Sequence, residues 1–117
     1  MNIYFQTKNT ESHDDLKRSI AERITGLEKF FPPFTNIYID MEKTHSSHKG
    51  NDLYYVSLNI DDRGQHYFVE EYRENLRKAF DFAYESMERI VKNDRNKSRN
   101  LTRRAASRIK KLFRKNP

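Results

Sequence analysis

The chain has no cysteine, which excludes a disulfide framework, a thiolate metal site and a cysteine nucleophile together. Glycine is scarce. Gly26, Gly50 and Gly64 are the only three, too dispersed for a loop that cradles phosphate. No apolar run approaches the roughly 18 residues of a membrane span. The opening Met1-Asn2-Ile3-Tyr4-Phe5-Gln6 lacks a basic region followed by an apolar stretch, so no secretory signal is expected and the expected location is the cytoplasm. Apolar side chains thin out along the chain: 35 of the 41 lie in residues 1–92. The remainder cannot form a core of its own. Acidic residues thin out there as well. Residues 1–92 carry 13 Lys+Arg against 16 Asp+Glu, whereas residues 93–117 carry ten Lys+Arg against Asp94 alone. A segment of net +9 on a body of net −3 points to a polyanionic partner, nucleic acid or an anionic surface.

What is present is periodic. Ile3 and Phe5 share one face of a short strand. Ser12 and Asp15 have the spacing of a capping box, with Asp in place of the preferred Glu or Gln. Leu16, Ile20, Ile24 and Leu27 then form one helical face, and Pro32-Pro33 ends that helix near Phe30 or Phe31. Residues 36–43 alternate, with Ile37, Ile39 and Met41 on one side. Residues 44–51 read as a polar loop. Residues 52–60 alternate again through Tyr54, Val56, Leu58 and Ile60. Asp61-Asp62-Arg63-Gly64 reads as a hairpin turn, and residues 65–72 as the returning strand. Asn75 is placed to cap a second helix whose apolar positions are Leu76, Ala79, Phe80, Ala83, Met87, Ile90 and Val91. Beyond Asn93 neither Gly nor Pro interrupts the chain, and Leu101, Ala105, Ile109 and Leu112 again share a helical face.

The expected order is β-α-β-β-β-α. It describes an α+β fold, a two-layer domain with two helices on one face of a four-stranded sheet and the other face wet. The expected domain covers residues 1–95, and residues 96–117 form a basic extension with helical periodicity. The expected core is Leu16, Ile20, Ile24, Leu27, Ile37, Ile39, Val56, Leu58, Leu76, Phe80, Ala83 and Met87.

This order and its local motifs resemble the ribosome hibernation-promoting factors, also called the ribosome-associated inhibitor or sigma-54 modulation family, over about residues 1–97. The family's first helix has a pattern like K-x-x-K-L-E-x-Y-F. Arg23-Ile24-Thr25-Gly26-Leu27-Glu28-Lys29-Phe30-Phe31 fits it in part, with Gly26 at the second basic position. The family's second helix has an Ala-Ile-Asp segment, an apolar residue and a lysine-rich end. Ala79-Phe80-Asp81, Met87, and Arg89, Lys92, Arg95 and Lys97 take those places, while Leu76-Arg77-Lys78 stands where a tyrosine usually precedes the segment. The resemblance implies a non-catalytic protein that binds the small ribosomal subunit and its rRNA. Such a protein blocks the messenger and transfer RNA channel during stress or stationary phase. At 117 residues the chain matches a short member, without the C-terminal dimerisation domain of the long ones, and is expected to be a monomer off the ribosome.

Binding rRNA requires cations matched to phosphates. The candidates are Arg23 and Lys29 on the first helix, Arg73, Arg77 and Lys78 around the start of the second, and Arg89, Lys92, Arg95, Lys97, Arg99, Arg103 and Arg104 along its end and extension. A stacking platform of Tyr38, Tyr55 and Tyr67 is a competing route, but Asp40, Glu42 and Glu71 in that region would repel phosphate, and packing accounts for the tyrosines. His45 and His48 are too few for a zinc site without a third ligand. His66 has no nucleophile and oxyanion constellation around it, and Asp61-Asp62 belongs to the turn. No catalytic residue, cofactor, metal or small-molecule substrate is expected. Two other readings stay open: a protein-interaction regulator of the sigma-factor modulator type whose basic segment serves another anionic partner, and a peripheral membrane contact by residues 101–114. The membrane reading is weakened by a narrow apolar stripe without Trp.

Overall fold

The computed structural model describes the backbone of residues 1–44 and 53–114, and side chains within these ranges up to residue 96. The elements are β1 (Asn2–Lys8), α1 (Asp14–Ile24) continued by a 3-10 segment (Thr25–Phe30), β2 (Asn36–Thr44), β3 (Leu53–Asp62), β4 (Gln65–Arg73) and α2 (Leu76–Arg114). The α+β order expected from periodicity is therefore the observed one. The sheet runs β1-β2-β3-β4; β1 is parallel to β2, and the other pairs are antiparallel. The parallel pair needs the crossover that α1 supplies.

Register fixes the two faces. Ile37, Ile39 and Met41 lie opposite Ile60, Leu58 and Val56, and Ile60 and Leu58 lie opposite Tyr67 and Val69. These side chains pack with Ile20, Ile24 and Leu27 of the first helical segment and with Leu76, Ala79, Phe80, Ala83, Tyr84, Met87 and Val91 of α2. Both helices therefore cover one face. Eleven of the twelve expected core residues are buried, and Leu16 packs against the core while half-buried. The opposite face carries three rows across the sheet: Tyr4, Tyr38, Asn59 and Phe68; Gln6, Asp40, Ser57 and Glu70; Lys8, Glu42, Tyr55 and Tyr72.

Three local expectations need correction. The N-cap of α1 is His13 in left-handed backbone (φ 49°), without a side-chain cap, so Ser12 and Asp15 form no capping box. The His13 ring instead hydrogen-bonds Thr10 Oγ1 at 2.7 Å. The β3–β4 turn is tighter than expected. Arg63 and Gly64 alone form it, both with positive φ (49° and 85°), as in a two-residue hairpin whose twist matches the strands. Asp61 and Asp62 are consequently in the ladder, opposite His66 and Gln65. Tyr67 faces the core, so it does not join Tyr38 and Tyr55 on the open face; Glu70, not Glu71, is the β4 carboxylate there. The His45–His48 loop lies outside the described residues.

Asn75 caps α2 as expected, its Oδ1 accepting from Lys78 N at 2.8 Å. No Gly or Pro follows, and α2 runs unbroken for 39 residues. The molecule measures 74 × 29 × 20 Å.

Candidate nucleic-acid interface

The candidate cations fall into three groups. Arg95 on α2 and Arg73 at the end of β4 form the first, tied into the fold. Arg95 reaches back from α2 to Asp62 Oδ2 at 2.8 Å, and its guanidinium lies 5.0 Å from the Phe31 ring centre. Asp62 is 2% exposed and also accepts from Arg63 Nε at 3.2 Å. Burial raises the Asp62 carboxyl pKa, but the hydrogen bonds from Arg95 and Arg63 outweigh it and hold the group below its ordinary value. Beside this pair, the Tyr67 hydroxyl donates to Asp94. Burial, with the Asp94 carboxylate next, pushes the Tyr67 phenol up to about 12. Arg73 is bound to Glu71 at 2.8 Å and to the Tyr72 carbonyl at 2.7 Å, and it lies over Phe82 at 4.1 Å.

A second group is paired along α2. Lys78 bridges Glu74, and Lys92 bridges Glu88 at 3.1 Å. Those lysines are the first cause that lowers each carboxylate's pKa. Both are exposed pairs that a competing phosphate can displace, because such pairs are worth under about 1 kcal/mol.

The third group points outward. Arg89 is exposed and has no ion-pair or hydrogen-bond partner among the described residues. Arg77 Nη1 donates to Ser19 Oγ at 2.7 Å, which ties α2 to α1. Arg23 lies over the Tyr84 ring at 4.6 Å, and Lys29 over Phe30 at 5.3 Å. Arg23 and Arg77 line one cleft between the helices with Ser19, Glu22, Phe80 and Asp81. Two candidates distant in sequence thus share a concave site. Lys97, Arg99, Arg103 and Arg104 fall on the α2 backbone, beyond the described side chains.

Gly26 explains one departure from the family pattern. A Cβ there would lie 2.5 Å from Tyr84 Oη, so the phenol occupies the space a side chain would need. Burial, with Glu88 next, raises the Tyr84 pKa.

Sequence reading missed the Asp62–Arg95 and Tyr67–Asp94 pairs, because each joins residues 27 or more positions apart. Strand parity was the available signal: Asp62 falls on the same face as Ile60. It also missed the exposure of Tyr4, Phe68 and Tyr72 on the open sheet face, where Tyr4 stacks on Tyr38 with ring centres 5.3 Å apart and Tyr55 and Tyr72 meet tilted at 4.9 Å. Among the described residues no cluster of His, Asp or Glu is placed to hold a metal, and no helix is long and apolar enough to cross a membrane.

Comparison with solved structures gives the same fold. The N-terminal domain of Protein Y from Thermus thermophilus superposes with a TM-score of 0.66 at 20% identity, covering 80% of this chain and 98% of that one. A ribosomal subunit interface protein from Coxiella burnetii superposes with a TM-score of 0.63 at 14% identity, covering 82% and 99%. A search of curated protein sequences found no match. Residues 3–99 match the family described as Sigma 54 modulation protein / S30EA ribosomal protein, and the chain belongs to that family.

Proposed function

We propose that this protein is a non-catalytic, cytoplasmic ribosome-binding factor that contacts rRNA of the small subunit through its helix layer. In this reading it fills the channel otherwise used by messenger and transfer RNA when translation is idle. The family match over residues 3–99 carries the proposal. The charge layout supports it. Arg89 is unpartnered among the described residues, Arg23 and Arg77 share a cleft, and α2 continues into a segment with nine Lys+Arg and no Asp or Glu after residue 96. Cations in line along a helix neutralise successive phosphates, and binding through them weakens steeply as salt rises.

The test is co-sedimentation of the purified chain with ribosomal particles over a salt series, together with cell-free translation. Salt-sensitive association with small subunits, competition with transfer RNA and inhibition that leaves rRNA intact are the expected results. Cut rRNA would indicate a nuclease instead. Association only with a protein in nuclease-treated lysate would favour the sigma-factor modulator reading, and binding only to anionic vesicles would favour the membrane reading.

A further inference from the structure

The open sheet face combines exposed rings with carboxylates. Among the seven large apolar residues exposed in the described part of the chain, Tyr4, Tyr38, Phe68 and Tyr72 share this face, each 40–54% exposed. Four of the seven thus fall on one face of the sheet and are not scattered singly over the surface. Asp40 and Glu70 stand between the aromatic rows, and Glu42 lies in the outer row with Tyr55 and Tyr72, where Lys8 is the one cation among these three rows. Ser57 Oγ donates to Asp40 at 3.3 Å and Tyr55 Oη to Glu70 at 2.9 Å, which orients both carboxylates without neutralising them. None of the three is in an ion pair among the described residues.

Rings interleaved with carboxylates attract guanidinium and ammonium groups, the rings through their quadrupoles and the carboxylates through charge. The same carboxylates repel phosphate. The face therefore suits a cation-rich polypeptide and not an RNA. Such a polypeptide is present in the chain itself: residues 97–117 hold nine Lys+Arg and no acid. Within one molecule, α2 packs on the opposite face of the sheet and continues as one helix to Arg114, which keeps that segment off its own open face.

We propose that the open sheet face docks the basic C-terminal segment, residues 97–117, of a second copy of this chain. Polyanion binding and self-association then compete for the same cations, and RNA dissolves the self-associated form. Self-association of this kind goes beyond the ribosome-binding reading and is tested without ribosomes, so either can fail alone.

The experiment combines sedimentation velocity of the full chain over a concentration series with NMR titration of a synthetic peptide of residues 97–117. The expected result is concentration-dependent association in low salt, and peptide-induced shifts centred on Tyr38, Phe68 and Tyr72. Raising salt to about 0.5 M should weaken both by about tenfold. The full-chain variant Asp40→Lys/Glu70→Lys should lose peptide affinity by about tenfold or more. Phe68→Ala/Tyr72→Ala, which keeps every charge, should also weaken it. A monomer at every concentration with no peptide shifts overturns the proposal. So do unchanged affinity in both folded variants, shifts confined to the helices, or perturbation of this face by an oligouridylate in place of the peptide.

Discussion

Single residues decide how α2 is held where it leaves the sheet. Asp62 is buried with Arg95 as its partner, and Arg95 is 23% exposed. Asp62→Ala should destabilise by about 2–3 kcal/mol, less than a fully buried broken pair, because Arg95 can turn towards water. The Asp62 carboxyl is held below its unfolded pKa, so its contribution is present above the ordinary carboxylate range. That contribution is lost as pH falls through the depressed folded value. Urea unfolding of wild type and Asp62→Ala should therefore differ at pH 7 and converge as the pH is taken well below 4. A gap that stays constant with pH would deny the ion pair this role. Gly26 gives a second test at this scale. Gly26→Ala sets a methyl against Tyr84 Oη, and Tyr84 is 3% exposed with little room to move. The expected cost is about 1–3 kcal/mol. Adding Tyr84→Phe removes the clashing oxygen and leaves the ring carbon at an ordinary 3.8 Å. The double variant should be more stable than Gly26→Ala alone, as a thermal-melt cycle would show.

At the scale of elements, legibility followed periodicity. The strands at residues 36–43 and 52–60 could be read because Ile37, Ile39 and Met41, and Val56, Leu58 and Ile60, recur at every second position. The second helix could be read because Leu76, Phe80, Ala83 and Met87 recur at steps of three and four, and Phe80 is buried at 1% exposure. Phe80→Ala should cost about 3–5 kcal/mol in chemical unfolding. In β4, by contrast, aromatics stand on both faces, since Tyr67 is buried while Phe68 and Tyr72 are exposed. Composition alone could not choose the inward row: packing holds for Tyr67, whereas Tyr38 stands 40% exposed on the open face. The start of α1 was misread because left-handed backbone at His13 leaves no pattern of side-chain types. For the site, the clustering of cations along α2 could be read, whereas their division into groups tied into the fold, paired along the helix and facing outward depends on contacts across the fold. Tyr67 links the two layers through Asp94. Burial first, and the Asp94 contact next, raise its phenol pKa from 10.0 to about 12, so folding disfavours the phenolate. Stability should therefore fall as pH rises from 10 towards 12. Tyr67→Phe should flatten the alkaline unfolding curve in this window; an unchanged curve would deny that the buried phenol resists ionisation there.

For the whole molecule, the candidate RNA-binding cations and the acidic sheet residues lie on opposite faces, and that placement gives the proposed function a directional test. The helix layer carries Arg23, Arg77, Arg89 and Lys92 and leads into residues 97–117 with their nine cations. The open sheet face carries Asp40, Glu42 and Glu70 beside exposed rings. A ribosome approached through the helix layer should respond to charge on that layer and not on the other. Arg89 and Lys92 are exposed, so reversing both to Glu leaves the core untouched. Each phosphate that is no longer neutralised should reduce the slope of log affinity against log salt by about one. The double reversal is therefore expected to weaken small-subunit binding and shallow the slope by about two. Asp40→Lys/Glu70→Lys on the opposite face should leave that slope within about one of wild type. Co-sedimentation across a salt series, with circular dichroism to establish folding, measures both variants together. Equal weakening in the two would mean that net charge alone drives association. Weakening confined to the sheet-face variant would place the RNA on the sheet, against the orientation proposed above.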